Sequence, residues 1–382
     1  MRTAIAGAGI AGTYLARLLG ERGIETELYD GRDHGTSCGF RSCGWGVPAG
    51  IGRYLATAGL DLEKYCMESM TSMEFDGLVA GTPLCTINKP RLLQDLTDGL
   101  TLHYHPLDRG ETDDYDIIVD ATGITRAFLP PCRSELVLAT LQHRVRVESH
   151  GGDPLEAGVY GNRIPGLGYL WIFPLGNGEY HIGVGGIRLD QHERILEQYY
   201  EENAHRHTFT PVCSCRGIVR VASPYYSQPF SLPQGGKEGT SPRIIGVGES
   251  IGTVAPFTGE GIIYSLECAQ LLAGCWPDQE RYERTILARY AWMRRERETL
   301  EYLLSEGKET GPRLRDRWRF YLNARRSGIR LPLGEAFRHA IFQRLMATLT
   351  RHQDTESCFS GACFAANTAL KSSVARRSRP SR

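Results

Sequence analysis

Nowhere in the 382 residues do eighteen apolar side chains run uninterrupted, which excludes a conventional membrane-spanning helix. The first apolar stretch, residues 3–12, is too short and too rich in glycine for the core of a secretory leader. A cytoplasmic chain is therefore expected, one that touches a membrane at most from its surface. Metal-ligand spacing is missing too: Cys213-x-Cys215, Cys358-x4-Cys363, His103-x-His105 and His205-x-His207 do not combine into finger or ribbon spacing, and no metal is expected. The 11 cysteines are irregularly spaced, which reads as reduced thiols rather than a disulfide framework. Internal repeats are absent, and so is net charge, since 44 Lys and Arg balance 44 Asp and Glu.

That balance is uneven along the chain. Residues 281–382 hold 22 basic against 10 acidic side chains, leaving 22 against 34 in residues 1–280. A basic C-terminal part points to an anionic surface, phospholipid head groups or nucleic acid; the competing reading is a solvated arginine-rich helical face. The lipid surface is the expectation taken here, with no nucleic-acid partner. At 41% hydrophobic residues the chain can build two or three packed domains, which rules out a peptide hormone, a zinc finger or a disordered chain.

The chain opens with strand-like residues 3–6, the turn Gly7-Ala8-Gly9-Ile10-Ala11-Gly12, and a helix expected to bury Ile10, Tyr14, Leu15, Leu18 and Leu19. A second strand, 25–29, ends at Asp30. Strand, glycine turn, helix, strand and acid follow in the order of a dinucleotide-binding βαβ unit. In such a unit Gly7, Gly9 and Gly12 bring backbone N–H groups close to a pyrophosphate, and Asp30 accepts from the ribose hydroxyls. Residues 31–50 read as a loop, 51–65 as a helix interrupted at Gly59, 88–100 as a helix and 115–120 as a buried strand leading into Ala121-Thr122-Gly123.

From about 136 to 235 short alternating segments between Gly and Pro turns predict an antiparallel sheet. A strand at 243–247 then runs into Gly248-Glu249, and Gly261 opens a helix from 262. Two features separate FAD from NAD: the strand ending at Ala121 and Gly123, and the late Gly-Glu followed twelve residues on by Gly261. A carboxylate at Glu249 would hold a ribityl chain, and the positive end of the helix after Gly261 would stabilise charge on a reduced flavin ring. The expected fold class is mixed α/β: a discontinuous FAD-binding Rossmann-like domain (1–135 and 240–280), an inserted antiparallel-sheet substrate domain (136–239), a basic helical region (281–371) and a disordered basic tail (372–382). In the helical region Leu333, Phe337, Ile341 and Leu345 stand at helical spacing opposite Arg338 and Arg344.

The order of these motifs resembles the aromatic-hydroxylase-type flavoproteins. Within them it resembles the geranylgeranyl reductase family, including the archaeal digeranylgeranylglycerophospholipid reductases, through Cys43-Gly44-Trp45-Gly46 and Tyr169-Leu170-Trp171-Ile172-Phe173-Pro174. The resemblance covers about residues 1–275. It implies flavin contacts at Ala11, Asp30, Cys43, Gly44, Gly46, Lys89, Ala121, Glu249, Gly261 and Ile262. Lys89 stands where that family usually has Arg, and Glu249 where it has Asp, which keeps each sign but changes the geometry. The resemblance further implies reduction of carbon–carbon double bonds in geranylgeranyl chains, on archaeal-type membrane phospholipids.

By the two-residue period of a strand, Tyr169, Trp171 and Phe173 share one face, either an aromatic wall for an isoprenoid or a sheet face packed in a core. Cys43 is the candidate near the position of proton delivery. Arg338, Arg344, Arg376 and Arg377 would hold the enzyme against anionic lipid. Three alternatives stand beside this reading: a flavin monooxygenase of the same fold, a flavin disulfide reductase using Cys38 and Cys43, and a non-catalytic lipid-binding flavoprotein. Against the disulfide reductase, the nearest candidate for a second nucleotide motif, Gly183-Val184-Gly185-Gly186, lacks the third spacing. The electron donor, whether reduced ferredoxin, NAD(P)H or a deazaflavin, is open.

Overall fold

The computed structural model describes residues 1–31, 43–161, 163–164, 167–187, 189–233, 241–304 and 314–330. The chain begins with β1 (Thr3–Ala6), α1 (Ile10–Gly20) and β2 (Thr26–Tyr29), and α1 buries the five side chains expected of it. There follow β3 (Gly46–Pro48), α2 (Gly52–Thr57), the hairpin β4 (Cys66–Phe75) and β5 (Leu78–Ile87), and α3 (Lys89–Thr97). The Asn88 side chain accepts from the Arg91 amide at 3.1 Å and so caps α3, a contact worth about 1 kcal/mol. Then come β6 (Thr101–His103), β7 (Ile117–Asp120), β8 (Val137–Ser149), β9 (Gly158–Tyr160), β10 (Gly168–Gly176), β11 (Glu179–Gly186), α4 (His192–Asn203) and β12 (His207–Arg220). The chain continues through β13 (Ser231–Leu232), β14 (Arg243–Gly246), α5 (Ile262–Cys275), α6 (Gln279–Arg289), α7 (Ala291–Leu304) and α8 (Leu314–Arg326).

Two sheets organise these elements. The first has the order β13-β14-β7-β1-β2-β6, parallel except for the β13–β14 pair, and α1 and α5 pack together beside it. Because β14 returns beside β7 after more than a hundred residues, the nucleotide sheet is built from two separated stretches of chain. The second sheet has the order β12-β8-β11-β10-β9-β4-β5-β3 and is antiparallel apart from β4–β9.

The second sheet is larger than the sequence reading drew it. It takes in β3, β4 and β5, which that reading placed in the nucleotide domain at 1–135. The strands β4 and β5 have bulges at Cys66/Glu68 and Met70/Ser72 that break the strict alternation. Their turn, Asp76-Gly77, has positive φ at both residues and is the one local signal of the hairpin. The helix α4, also unexpected, buries His192, Leu196 and Tyr199 against β11 and β8.

The C-terminal part is helical as far as it is described, and several of its arginines pair with carboxylates of the same region or of α5. Arg289 pairs with Glu267 at 2.5 Å, Arg294 with Glu298 at 2.8 Å and Arg297 with Glu301 at 2.8 Å. Leu333, Phe337, Arg338, Ile341, Arg344, Leu345, Arg376, Arg377 and the tail lie outside the described residues, as does Cys38. Among the described residues no helix is long and apolar enough to cross a membrane. Cys43, Cys66, Cys85, Cys132, Cys215, Cys268 and Cys275 are not disulfide-bonded. Cys213 is disulfide-bonded, a departure from the all-reduced expectation.

Candidate active site

The glycine turn is built by close approach. Gly7 has φ +110°, and a Cβ there would overlap the Ala121 carbonyl oxygen; a Cβ on Gly12 would overlap the Gly7 carbonyl oxygen. Only glycine permits α1 to sit this close to the β1 and β7 ends. Asp30, 4% exposed, accepts from the Ala8 amide at 3.0 Å, so the acid at the end of β2 also tethers the turn. On the far side α1 meets the second stretch of the domain, where a Cβ on Gly248 would stand 2.7 Å from the Ala11 Cβ. Thus Gly7, Gly9, Ala11, Gly12, Asp30, Ala121 and Gly123 gather along the C-terminal edge of the parallel sheet, the place where such sheets bind dinucleotides.

Glu249 stands in a more constrained setting than the sequence implies. Its Oε1 accepts from the Arg220 amide at 2.9 Å, and its Oε2 lies 3.3 Å from where a Gly123 Cβ would be. Arg220 is 1% exposed; it pairs with Glu135 at 2.9 Å and donates to the carbonyls of Ile124 at 2.9 Å and Glu249 at 3.1 Å. The guanidinium therefore ties the 123–125 turn to the 248–251 turn. Lys89 opens α3, one residue after β5, whose Ile87 amide donates to the Trp45 carbonyl at 3.1 Å.

Beyond this edge lies a cavity of about 290 Å³. Cys43, Gly44, Gly46, Tyr169, Trp171, Phe173, Gly261 and Ile262 all line it, so residues far apart in sequence meet in one place. The loop and the wall touch: a Cβ on Gly44 would stand 2.6 Å from the Phe173 ring and 3.4 Å from the Trp171 indole nitrogen. Tyr169 and Trp171 meet edge to face with centroids 5.9 Å apart, and the Tyr169 hydroxyl donates to the Thr258 carbonyl. Trp171 donates to Gln142 Oε1 at 3.2 Å and lies over Gly183 of the neighbouring strand. Gly183 and Gly185 thus make room for an indole, which accounts for two glycines of a run that imitates a nucleotide motif.

Several residues of this site have no clear signal in the sequence. Trp45 sits in the left-handed region at φ +61°, a strain of about 1–3 kcal/mol for a bulky residue. It is held against His181, with ring centroids 4.6 Å apart, and His181 Nδ1 is 3.4 Å from the Gly44 carbonyl oxygen. Ala324, Ser327 and Ile329, at and just beyond the end of α8, complete the wall. The C-terminal region therefore closes the cavity, a contribution that its charge did not announce.

His181 is 3% exposed, and burial pushes its imidazole down to about 4. The unfolded chain takes up a proton below about 6.5, whereas the folded chain resists it to about 4. Stability contributed by this group is therefore lost as pH falls from 6.5 to 4, by about 3 kcal/mol in full. The variant His181→Asn is expected to flatten that slope in thermal unfolding across the same window. An unchanged slope would contradict a neutral buried imidazole. The comparison is made against the variant because His192, also lowered to about 4, adds to the slope, and the raised carboxyls Glu260 and Glu296 oppose it.

No family model matches the chain. It is 23% identical over 314 residues to an uncharacterised protein of Methanocaldococcus jannaschii, covering 72% of this chain and 82% of that one. It is 33% identical over 138 residues to a menaquinone reductase of Mycolicibacterium smegmatis, 31% of each chain. It is 30% identical over 112 residues to a digeranylgeranylglycerophospholipid reductase 2 of Methanothermobacter thermautotrophicus, 29% of this chain and 26% of that one. The chain thus spans under a third of either reductase.

A solved structure from Thermoplasma acidophilum, described as geranylgeranyl bacteriochlorophyll reductase-like, superposes with TM-score 0.60 at 17% identity over 78% of this chain and 87% of that one. A probable FAD-dependent monooxygenase of Pseudomonas aeruginosa superposes with TM-score 0.52 at 15% identity over 78% and 95%. At such identities the likeness is one of fold. The chain has the fold of the FAD-dependent oxidoreductases of the aromatic-hydroxylase type, and FAD is the cofactor that its glycine turn, Asp30 and the Gly44–Gly46 loop fit.

Proposed function

We propose that the protein is an FAD-dependent reductase of carbon–carbon double bonds in geranylgeranyl chains, with a membrane isoprenoid lipid as substrate. The observation that carries this reading is the character of the cavity. Among its described lining residues there is no lysine, arginine or histidine, and Met73, Phe75, Leu84, Leu138, Val159 and Ile263 extend the aromatic wall with further apolar surface. A carboxylated substrate would need a cation there, whereas an isoprenoid needs chiefly apolar walls.

An isolated trisubstituted alkene has no carbonyl to polarise. When bound, the reduced flavin supplies the hydride. The chain's own part is to exclude water, to align the alkene against Tyr169, Trp171 and Phe173, and to present π-faces to positive charge developing on carbon. Cys43, at the loop facing this wall, would contact the flavin and the end of the lipid chain. The two partial alignments with a menaquinone reductase and a digeranylgeranylglycerophospholipid reductase support the isoprenoid class.

Dithionite-reduced, FAD-loaded protein, incubated anaerobically with a geranylgeranylated phospholipid, is expected to add successive pairs of hydrogens to the lipid, read by mass spectrometry. Unchanged lipid, together with rapid flavin reoxidation in air and hydroxylated product, would move the assignment to a monooxygenase.

A further inference from the structure

Two carboxyl groups stand outside every role described so far. Glu260 lies between Gly259 and Gly261, where the loop enters α5, and lines the cavity. Its Oε2 is sealed from solvent and finds no hydrogen-bond partner among the described residues, while Ser327 bonds the carboxyl from the turn after α8. Ser327 also bonds Tyr264, one turn into α5. Behind them Glu296 of α7 is 2% exposed, bonded by Asn323 and approached by the Phe257 amide at 3.5 Å.

The groups that face Glu260 are Tyr169 from β10, Tyr264 from its own helix, Ser327 from the turn after α8 and Glu296 from α7. None is a cation; the cation acting on the cluster is Arg326, through Glu296. Desolvation lifts Glu260 to about 7, only partly offset by Ser327, and Glu296 to about 8, only partly offset by the Phe257 amide, Asn323 and Arg326. An acid kept neutral in an apolar site is suited to giving up its proton at neutral pH.

We propose that Glu260 is the catalytic proton donor of this cavity and that Glu296 restores its proton. This deepens the isoprenoid-reductase reading and rests on it. In the reaction the π bond is consumed: one alkene carbon takes a hydride from the reduced flavin, which is thereby oxidised by two electrons, and the neighbouring carbon takes the proton of Glu260. The Glu260 carboxylate that remains is reprotonated from Glu296, and Glu296 from solvent on the Asn323 and Arg326 side.

Two readouts on the FAD-loaded protein test this. In the first, reduced wild type, Glu260→Gln, Glu260→Asp and Glu296→Gln are mixed with a geranylgeranylated phospholipid across pH 5–9. Wild type is expected to lose rate as pH rises through about 7. Glu260→Gln should be slower by about 10²–10⁴-fold at unchanged flavin content, with partial recovery in Glu260→Asp. In the second, the infrared difference between resting wild type and Glu260→Gln at pH 6 should contain a protonated carboxyl band that shifts in D₂O. A Glu260→Gln protein that saturates the lipid at the wild-type rate, or the absence of that band, overturns the proposal. Wild type that leaves the lipid untouched refutes the isoprenoid reading instead, and the infrared band then decides whether Glu260 holds an exchangeable proton or not.

Discussion

Gly12→Ala is expected to lose about 3 kcal/mol of stability, at the upper end of the usual range for overpacking, together with most of its bound flavin. The added methyl would overlap the Gly7 carbonyl oxygen and come within 3.1 Å of the Ala121 Cβ. Both obstacles are fixed: Gly7 lies in the turn between β1 and α1, and Ala121 follows β7, whose register with β1 is locked from Thr3↔Ile117 to Ala6↔Asp120. Relief requires α1 to move away from the sheet edge, which withdraws the N–H groups meant for a pyrophosphate. Gly20→Ala is the matched control. It makes the same chemical change at the last residue of the same helix, where nothing lies within 4 Å. It should stabilise by about 0.5–1 kcal/mol. Thermal unfolding and the flavin absorbance per polypeptide read both effects, and equal behaviour of the two variants would refute the close-approach account.

Arg220→Met should be as damaging, by about 3–5 kcal/mol, because it breaks a buried pair by removing one partner. Glu135 would keep its charge without its guanidinium, and the carbonyls of Ile124 and Glu249 would lose donors at 2.9 and 3.1 Å. Since the side chain joins the 123–125 and 248–251 turns, loss of flavin should accompany loss of stability. Arg220→Lys keeps the charge but cannot reach both turns and Glu135 at once, so it should recover only part of either. Denaturant unfolding at pH 7 that places Arg220→Met within 1 kcal/mol of wild type would show that the clamp is dispensable.

Neither residue carried equal weight in the sequence. Gly12 was legible because a strand, a glycine turn and a helix have a spacing that only close packing explains. Arg220 was one arginine among many, at the end of an alternating segment, and nothing local distinguishes a buried guanidinium from an exposed one. The same contrast holds for the acids. Asp30 announced itself by ending a strand after the glycine turn, whereas Glu260 sits in a Gly-Glu-Gly triplet that reads as an exposed loop until α7 and the turn after α8 close over it.

The sequence by itself determined the local parts: the βαβ order at the N-terminus, the helix that follows Asn88, the shared face of Tyr169, Trp171 and Phe173, and the return of a late strand and glycine helix. Each depends on neighbours within a few residues, where period and turn chemistry act. Only the tertiary structure decided that β3, β4 and β5 join the second sheet, that Trp171 rests over Gly183, that the end of α8 walls the cavity, and that Glu296 is buried behind a half-buried Glu260 at the cavity wall. These depend on which surfaces meet across a hundred or more residues. Burial, which sets both packing room and the cost of charge, is a property of that meeting and not of any segment alone.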